Sequence, residues 1–235
     1  MQRILLKISG ELLKGSEPYG ISQEASLNLA KALKKLHDSG TQLGIVIGGG
    51  NIFRGVNAAA MNMERTPADQ MGMLATLING IAFQESLKAI SCPAVVMSAL
   101  DCPKIVESYN WHKANEYLDS GHIVIFVGGT GNPYFTTDTA AALRANEIGA
   151  EALWKATKVD GVYDKDPLKF PGVAKKYDTM SYEQFLAQKL EVMDATSVTL
   201  CMKSKIPIFV FQMNVLSPDR IGELINQKPR GTLIT

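Results

Sequence analysis

Twice in this chain an apolar run breaks into a glycine-rich turn, and that repeated junction limits the possible folds more than any other feature. Leu43 to Ile47 runs into Gly48-Gly49-Gly50-Asn51, and Ile123 to Val127 runs into Gly128 to Asp138, read GGTGNPYFTTD. The second turn opens onto the alanine-rich segment Ala140 to Ala145. A short apolar run bounded by turn residues reads as a buried strand, and the polar residues after the turn start a helix. Such a corner gathers backbone N–H groups and the positive end of a helix at one point, which suits an anion. A tight corner without a ligand has the same glycine content. The occurrence of two corners tips the reading toward two anion sockets.

The remaining elements fall around these corners. Ile4-Leu5-Leu6-Lys7-Ile8 reads as a first buried strand, closed by Ser9-Gly10. A lysine there is costly unless it meets an anion or snorkels to the surface. Ser22 is placed to cap a helix with the apolar stripe Ala25, Leu29, Ala32, Leu33 and Leu36, ended by Gly40. Thr66-Pro67 reads as the cap and first position of a long helix through Leu87, with Met71 and Met73 as core filler. Ala94 to Met97 is a strand and His112 to Leu118 a helix. After Ala156 the chain becomes polar and turn-rich. Ser181 and Gln184 have capping-box spacing, Asp194 opens a short helix, Ile206 to Phe211 is a late strand, Ser217-Pro218 starts a last helix, and Gly231 to Ile234 is a closing strand. The alternation predicts an α/β three-layer sandwich around a central, mainly parallel sheet.

Composition excludes several functions. Hydrophobic residues make up 46% and charged residues 20%, with a net charge of +1, so nothing in the charge balance calls for nucleic acid or an anionic membrane. Cys92, Cys102 and Cys201 are scattered, with no disulfide framework and no zinc spacing. No apolar run approaches the ~20 residues that span a bilayer. The first strand follows directly on Met1-Gln2-Arg3, which predicts no leader and a reducing, cytoplasmic setting. No GxxxxGKS/T stretch is present, so this is not a P-loop protein. Gly48-Gly49-Gly50 lacks dinucleotide spacing, and no GxSxG elbow occurs. His37, His112 and His122 form no triad or metal cluster. What remains suits phosphate chemistry: two sockets, the cations Lys7 and Arg54 near strand ends, and the carboxylates Asp69, Asp138 and Asp166. Phosphoryl transfer asks for charge neutralisation and alignment more than for covalent help from the protein.

Read together, Leu5-Leu6-Lys7-Ile8-Ser9-Gly10-Glu11, Gly48 to Gly55 (GGGNIFRG), Asp69 within ADQMGMLAT, Gly129 to Asp138 and Ala156 to Tyr163 (ATKVDGVY) resemble the bacterial uridylate kinases of the amino acid kinase superfamily. The resemblance runs from Arg3 to Thr235. It implies an amino acid kinase-like fold and Mg²⁺-dependent transfer of the γ-phosphoryl group of ATP to UMP, in a cytoplasmic homohexamer. It further implies a UMP-binding lobe over about 1–155 and an ATP-binding lobe over 156–235.

Carried over by motif, Lys7 neutralises the transferring group and Asp138 orients Lys7. Gly49, Gly50, Arg54, Asp69, Thr130, Asn132 and Thr137 hold UMP, with Asn51 shaping the first turn through the left-handed geometry that asparagine tolerates. Lys7, Gly10, Thr157, Tyr163 and Asp166 hold ATP. No protein metal ligands are implied, since Mg²⁺ rides on the ATP phosphates and water. Two bland readings stand beside these: Asp138 as a helix cap and Tyr163 as ordinary packing. UTP is expected to inhibit through the UMP site. The resemblance also implies GTP activation, which some members achieve with arginines after the long Asp69 helix. No arginine stands from Gln84 to Leu143 here, and lysine lacks the planar fork that grips a phosphate, which argues against that activation. The alternatives are a relative acting on a carboxylate or carbamate, and a silent nucleotide-responsive regulator.

Overall fold

The structure is a computed structural model and describes residues 2–53, 62–226 and 230–235. In chain order β1 (Arg3–Ile8), α1 (Glu11–Lys14), α2 (Gln23–Asp38), β2 (Gln42–Ile47), α3 (Arg65–Lys88), β3 (Ala94–Ser98) and β4 (Glu107–Ser108) come first. Then follow α4 (Trp111–Asp119), β5 (Ile123–Val127), α5 (Thr137–Glu147) and β6 (Ala152–Thr157). The last third holds β7 (Val162–Tyr163), β8 (Lys176–Tyr177), β9 (Thr179–Met180), α6 (Tyr182–Ala187), α7 (Ala195–Ser204), β10 (Ile208–Gln212), α8 (Gly222–Ile225) and β11 (Gly231–Ile234). Among the described residues nine strands form one sheet, ordered β4-β3-β5-β2-β1-β6-β10-β11-β9. Neighbours from β4 to β10 pair parallel; β11 runs antiparallel to β10 and parallel to β9. β7 and β8 form a separate antiparallel ribbon.

Both faces of the sheet are covered, which is what the near-continuous apolar strands require. Alternation along β1 shows how one strand serves two cores. Ile4, Leu6 and Ile8 pack with Leu33 of α2 and Phe83 of α3, whereas Leu5 joins Val46, Phe126, Ala141 and Leu153 on the other face. Lys7 falls on the Leu5 side, at the C-terminal end where β1 stops. α3 crosses β5 closely enough that a Cβ on Gly80 would sit 2.4 Å from Val127 Cγ1, so only glycine fits there.

Several expected boundaries shift. α3 begins at Arg65, not after a Thr66 cap; its N-cap is Glu64, without a side-chain cap bond. Pro67 is then the third helical residue, where its missing N–H is no loss because first-turn donors have no helical partner. Met71 is not core filler: it is exposed with Leu74 and Ile78 along one stripe of α3, while Met73 is buried. The late strand starts at Ile208 because Pro207 has no N–H to give to the ladder. Ser217-Pro218 forms a turn, with Ser217 O accepting from Arg220 and Ile221, and the helix comes later, at Gly222.

Candidate active site

The centre of the site is built by register. Lys7 on β1 and Lys155 on β6 are direct partners in the parallel ladder, so two ammonium side chains leave the sheet side by side on one face. Like charges so placed repel. Asp138, in the first turn of α5, lies between them. Lys7 Nζ forms an ion pair with Asp138 Oδ1 at 2.7 Å, and Lys155 Nζ donates to Asp138 Oδ2. Lys7 does not snorkel: its side chain is 15% exposed. Burial pushes the Asp138 carboxyl upward, but the two ammonium groups outweigh it and hold it below the usual carboxylate range. Burial likewise pulls the Lys155 amine down, helped by Lys7 and opposed by Asp138 and Asp194. Asp138 is not the helix cap. Thr136 has that role, its Oγ1 accepting from the N–H groups of Asp138 and Thr139.

The first glycine turn is set by an amide pair. Asn51 Nδ2 donates to Gly20 O at 2.8 Å and to Asn79 Oδ1 at 2.9 Å; Asn79 Nδ2 donates to Gly48 O and Asn51 Oδ1, both at 2.7 Å. All four amide hydrogens are therefore used. Asn51 shapes the turn through these bonds and not through left-handed geometry, since it is absent from the positive-φ residues. Gly10 makes room for the pair: a Cβ there would lie 2.0 Å from Asn51 Oδ1 and 2.5 Å from Gly48 O.

The second turn is more contorted. Gly128, Gly129 and Gly131 have positive φ, and so does Tyr134 at +71°, a costly value for a bulky residue. Two bonds hold it. Gly128 N donates to Thr76 Oγ1 at 2.8 Å, and Tyr134 N donates to Asp69 Oδ2 at 2.7 Å. Arg65 Nε donates to the same Asp69 oxygen, and its guanidinium lies 5.3 Å from the Tyr134 ring centroid.

Two cavities flank this arrangement. The larger, about 610 Å³, is lined by Lys7, Lys155, Thr157, Tyr163 and Asp166 among others. The smaller, about 140 Å³, is lined by Gly49, Gly50, Asp69, Thr130, Asn132 and Thr137 together with Phe53, Phe135 and Thr136. The residues expected to hold the two nucleotides thus separate into two groups in space, although β6 runs unbroken through the expected lobe boundary. Gly10 lines neither cavity, and Arg54 lies outside the described residues. Tyr163 lines the larger cavity with its hydroxyl committed to Asp160 Oδ1, and that bond and burial push the hydroxyl up to about 12. Asp166 Oδ1 accepts from Leu168 N at 2.9 Å and organises the turn over the larger cavity.

Residues 2–212 match the model of the amino acid kinase family. A uridylate kinase of Protochlamydia amoebophila is 59% identical over 233 residues, covering 99% of this chain and 92% of that protein. This chain belongs to the uridylate kinases of that family. A second uridylate kinase, from Magnetococcus marinus, is 48% identical over 99% of this chain and 95% of its own length. The crystal structure of a UMP kinase from Bacillus anthracis superposes with a TM-score of 0.93 at 33% identity, covering 100% of this chain and 96% of that one. The uridylate kinase resemblance drawn from the glycine turns therefore holds over the whole chain.

Three residues escaped sequence reasoning. Lys155 carries the same signal as Lys7, a lysine inside an apolar strand, but their pairing depends on register. Asn79 is a mid-helix asparagine with nothing local to mark it. Asp194 was expected to open a helix, and does; its bonds to Thr136 and Thr139 come from the packing of α5 against α7.

Proposed function

We infer that this chain transfers the γ-phosphoryl group of ATP to UMP, giving UDP and ADP in pyrimidine nucleotide synthesis. The observation that carries the reading is the pair of cavities around one Lys7–Asp138–Lys155 centre, one lined by both lysines and the other by Thr136 and Thr137. ATP enters the larger cavity as its Mg²⁺ complex, with the metal held by the phosphates and water. Thr157, Tyr163 and Asp166 contact the nucleoside, and UMP takes the smaller cavity. Asp69 Oδ2 is already engaged, so its contact with the ribose falls to Oδ1. Gly49, Gly50, Thr130, Asn132 and Thr137 contribute the remaining UMP contacts, and Arg54 grips its phosphate.

The acceptor phosphate monoester has a second pKa near ~6, so its attacking oxygen is already deprotonated at neutral pH and no general base is required. Asp138, kept anionic between two cations, is suited to holding Lys7 and Lys155 in place. The two ammonium groups balance the charge spread over the transferring group's oxygens. In this reading residues 1–155 serve UMP and 156–235 serve ATP, with Lys7 placed between the two nucleotides.

A cytoplasmic homohexamer belongs to the same reading. The exposed stripe Met71, Leu74 and Ile78 supports burial of α3 against another copy. UTP inhibits by occupying the UMP cavity. The test is ADP formation with UMP, CMP, glutamate, aspartate or carbamate as acceptor. UMP-dependent ADP formation is expected; strict dependence on one of the carboxylates or carbamate, or none at all, overturns the reading.

A further inference from the structure

The Asp194 carboxylate joins elements that serve different cavities. Its Oδ1 accepts from Ser197 N at 2.8 Å, capping α7, and from Thr139 Oγ1 at 2.9 Å, while its Oδ2 accepts from Thr136 Oγ1. The Thr136 hydroxyl is thereby polarised. Its proton goes to Asp194, and its lone pairs take the N–H groups of Asp138 and Thr139. Thr136 itself lines the smaller cavity, next to Thr137. On the other side, Lys189, Leu190 and Glu191, just ahead of Asp194 in the chain, line the larger cavity. Lys189 holds the connection from α6 in a left-handed turn, with φ +52°.

Between these parts is a third space of about 470 Å³, lined by Thr136, Asp138, Lys189, Leu190, Glu191 and Asp194. The 189–191 segment thus lines a cavity on each side, with Lys189 N and Leu190 N bonded back to Leu186 O and Phe185 O of α6. One carboxylate, that of Asp194, joins it to Thr136 and the first turn of α5.

We propose that Asp194 is a positioning residue that couples occupancy of the donor cavity to that of the acceptor cavity. It rests on the two-nucleotide reading above. A donor seated against Lys189–Glu191 fixes that segment, Asp194 then fixes the Thr136 hydroxyl, and the turn carrying Thr137 and Asp138 is set for the acceptor. By linkage the effect is reciprocal, so either nucleotide tightens binding of the other by the same factor.

The experiment measures UMP affinity by calorimetry with and without a saturating non-hydrolysable ATP analogue, in the full chain and in Asp194→Asn. The parent is expected to bind UMP at least about five-fold more tightly with the analogue present, the low end of ordinary coupling. Asp194→Asn keeps an acceptor oxygen for Ser197 N but cannot accept from both threonines. Its coupling ratio is expected to fall below about two-fold, with kcat reduced and the affinity for each nucleotide alone unchanged. Thr139→Val should lower the ratio, and Thr139→Ser, which restores the hydroxyl, should return it to the parent value. An unchanged ratio in Asp194→Asn, or a parent without coupling, overturns the proposal. If Asp194→Asn does not fold, the two Thr139 variants decide it: equal ratios in both refute it. Absence of any UMP-dependent turnover in the parent would instead strike at the uridylate kinase reading.

Discussion

Removing the charge of Asp138 and removing that of Lys7 should differ sharply in their effect on stability. Asp138 neutralises two ammonium groups that the sheet register forces together. At 2.7 Å a unit pair in an effective dielectric of ~20 attracts by roughly 6 kcal/mol before desolvation is counted. Asp138→Asn loses both such attractions and leaves two cations facing each other, so its stability should drop by the ~3–5 kcal/mol typical of orphaning a buried charge. Lys7→Ala is different. Asp138 keeps Lys155, and the repulsion between the lysines disappears, so the lost and relieved terms offset to within ~1–2 kcal/mol. Turnover of Lys7→Ala should nevertheless fall about 10²–10³-fold, since a preorganised charge is missing where negative charge develops. Urea unfolding gives the first quantity, and coupled ADP release with UMP and ATP saturating gives the second. A Lys7→Ala chain turning over within about three-fold of the parent defeats the catalytic assignment. An Asp138→Asn chain as stable as the parent defeats the electrostatic account of the centre.

UMP should be preferred to dUMP by about 10–100-fold in kcat/KM, because loss of the 2′-hydroxyl leaves the second Asp69 oxygen desolvated and unpaired; equal efficiencies measured well below saturation refute that contact. Gly10→Ala should be poorly folded or lower the thermal midpoint sharply, since its methyl would press on Gly48 O at 2.5 Å, a backbone atom that cannot swing aside. A midpoint within a few degrees of the parent would show that the turn relaxes more easily than its packing suggests. GTP should activate weakly or not at all, given the arginine-free interval from Gln84 to Leu143. A saturable rise of about five-fold or more at sub-saturating UMP and fixed free Mg²⁺ would mean that lysines or another subunit build an effector site.

The fold was legible wherever the signal was local. Apolar runs ending in glycine marked β2 and β5, Ser181 and Gln184 marked α6, and Asp194 marked α7. Asp138 could be singled out because it closes a run of turn residues, and most of the residues expected to hold the two nucleotides line two separate cavities. The losses were of two kinds. At α3 a strong local cue, Thr66-Pro67, pointed two residues too far along, because proline is tolerated anywhere in a first turn. Lys155, Asn79 and the second role of Asp194 were hidden because each acts across a long sequence separation: 17 residues from Asp138, 28 from Asn51, and 58 from Thr136. Only strand register and helix packing bring those groups together.

The amide pair beneath the first glycine turn also carries a chemical liability in the unfolded chain. Asn79 is followed by Gly80, and an Asn-Gly step is the most vulnerable to deamidation, because the unhindered glycine nitrogen can attack the asparagine amide and expel ammonia. Neither residue can be exchanged to avoid it. Gly80 is required by the side chain of Val127, and Asn79 alone supplies both hydrogens that Gly48 O and Asn51 Oδ1 accept. Inside α3 the attack is blocked, since Gly80 nitrogen is committed to the helix ladder and the Asn79 side chain is held on every polar atom. Each excursion that melts α3 lifts that protection. The cyclic imide so formed opens to aspartate or isoaspartate, and either would put a carboxylate where Gly48 O and Asn51 Oδ1 need donors, so the damage done in the unfolded state would be locked in as a turn that no longer closes.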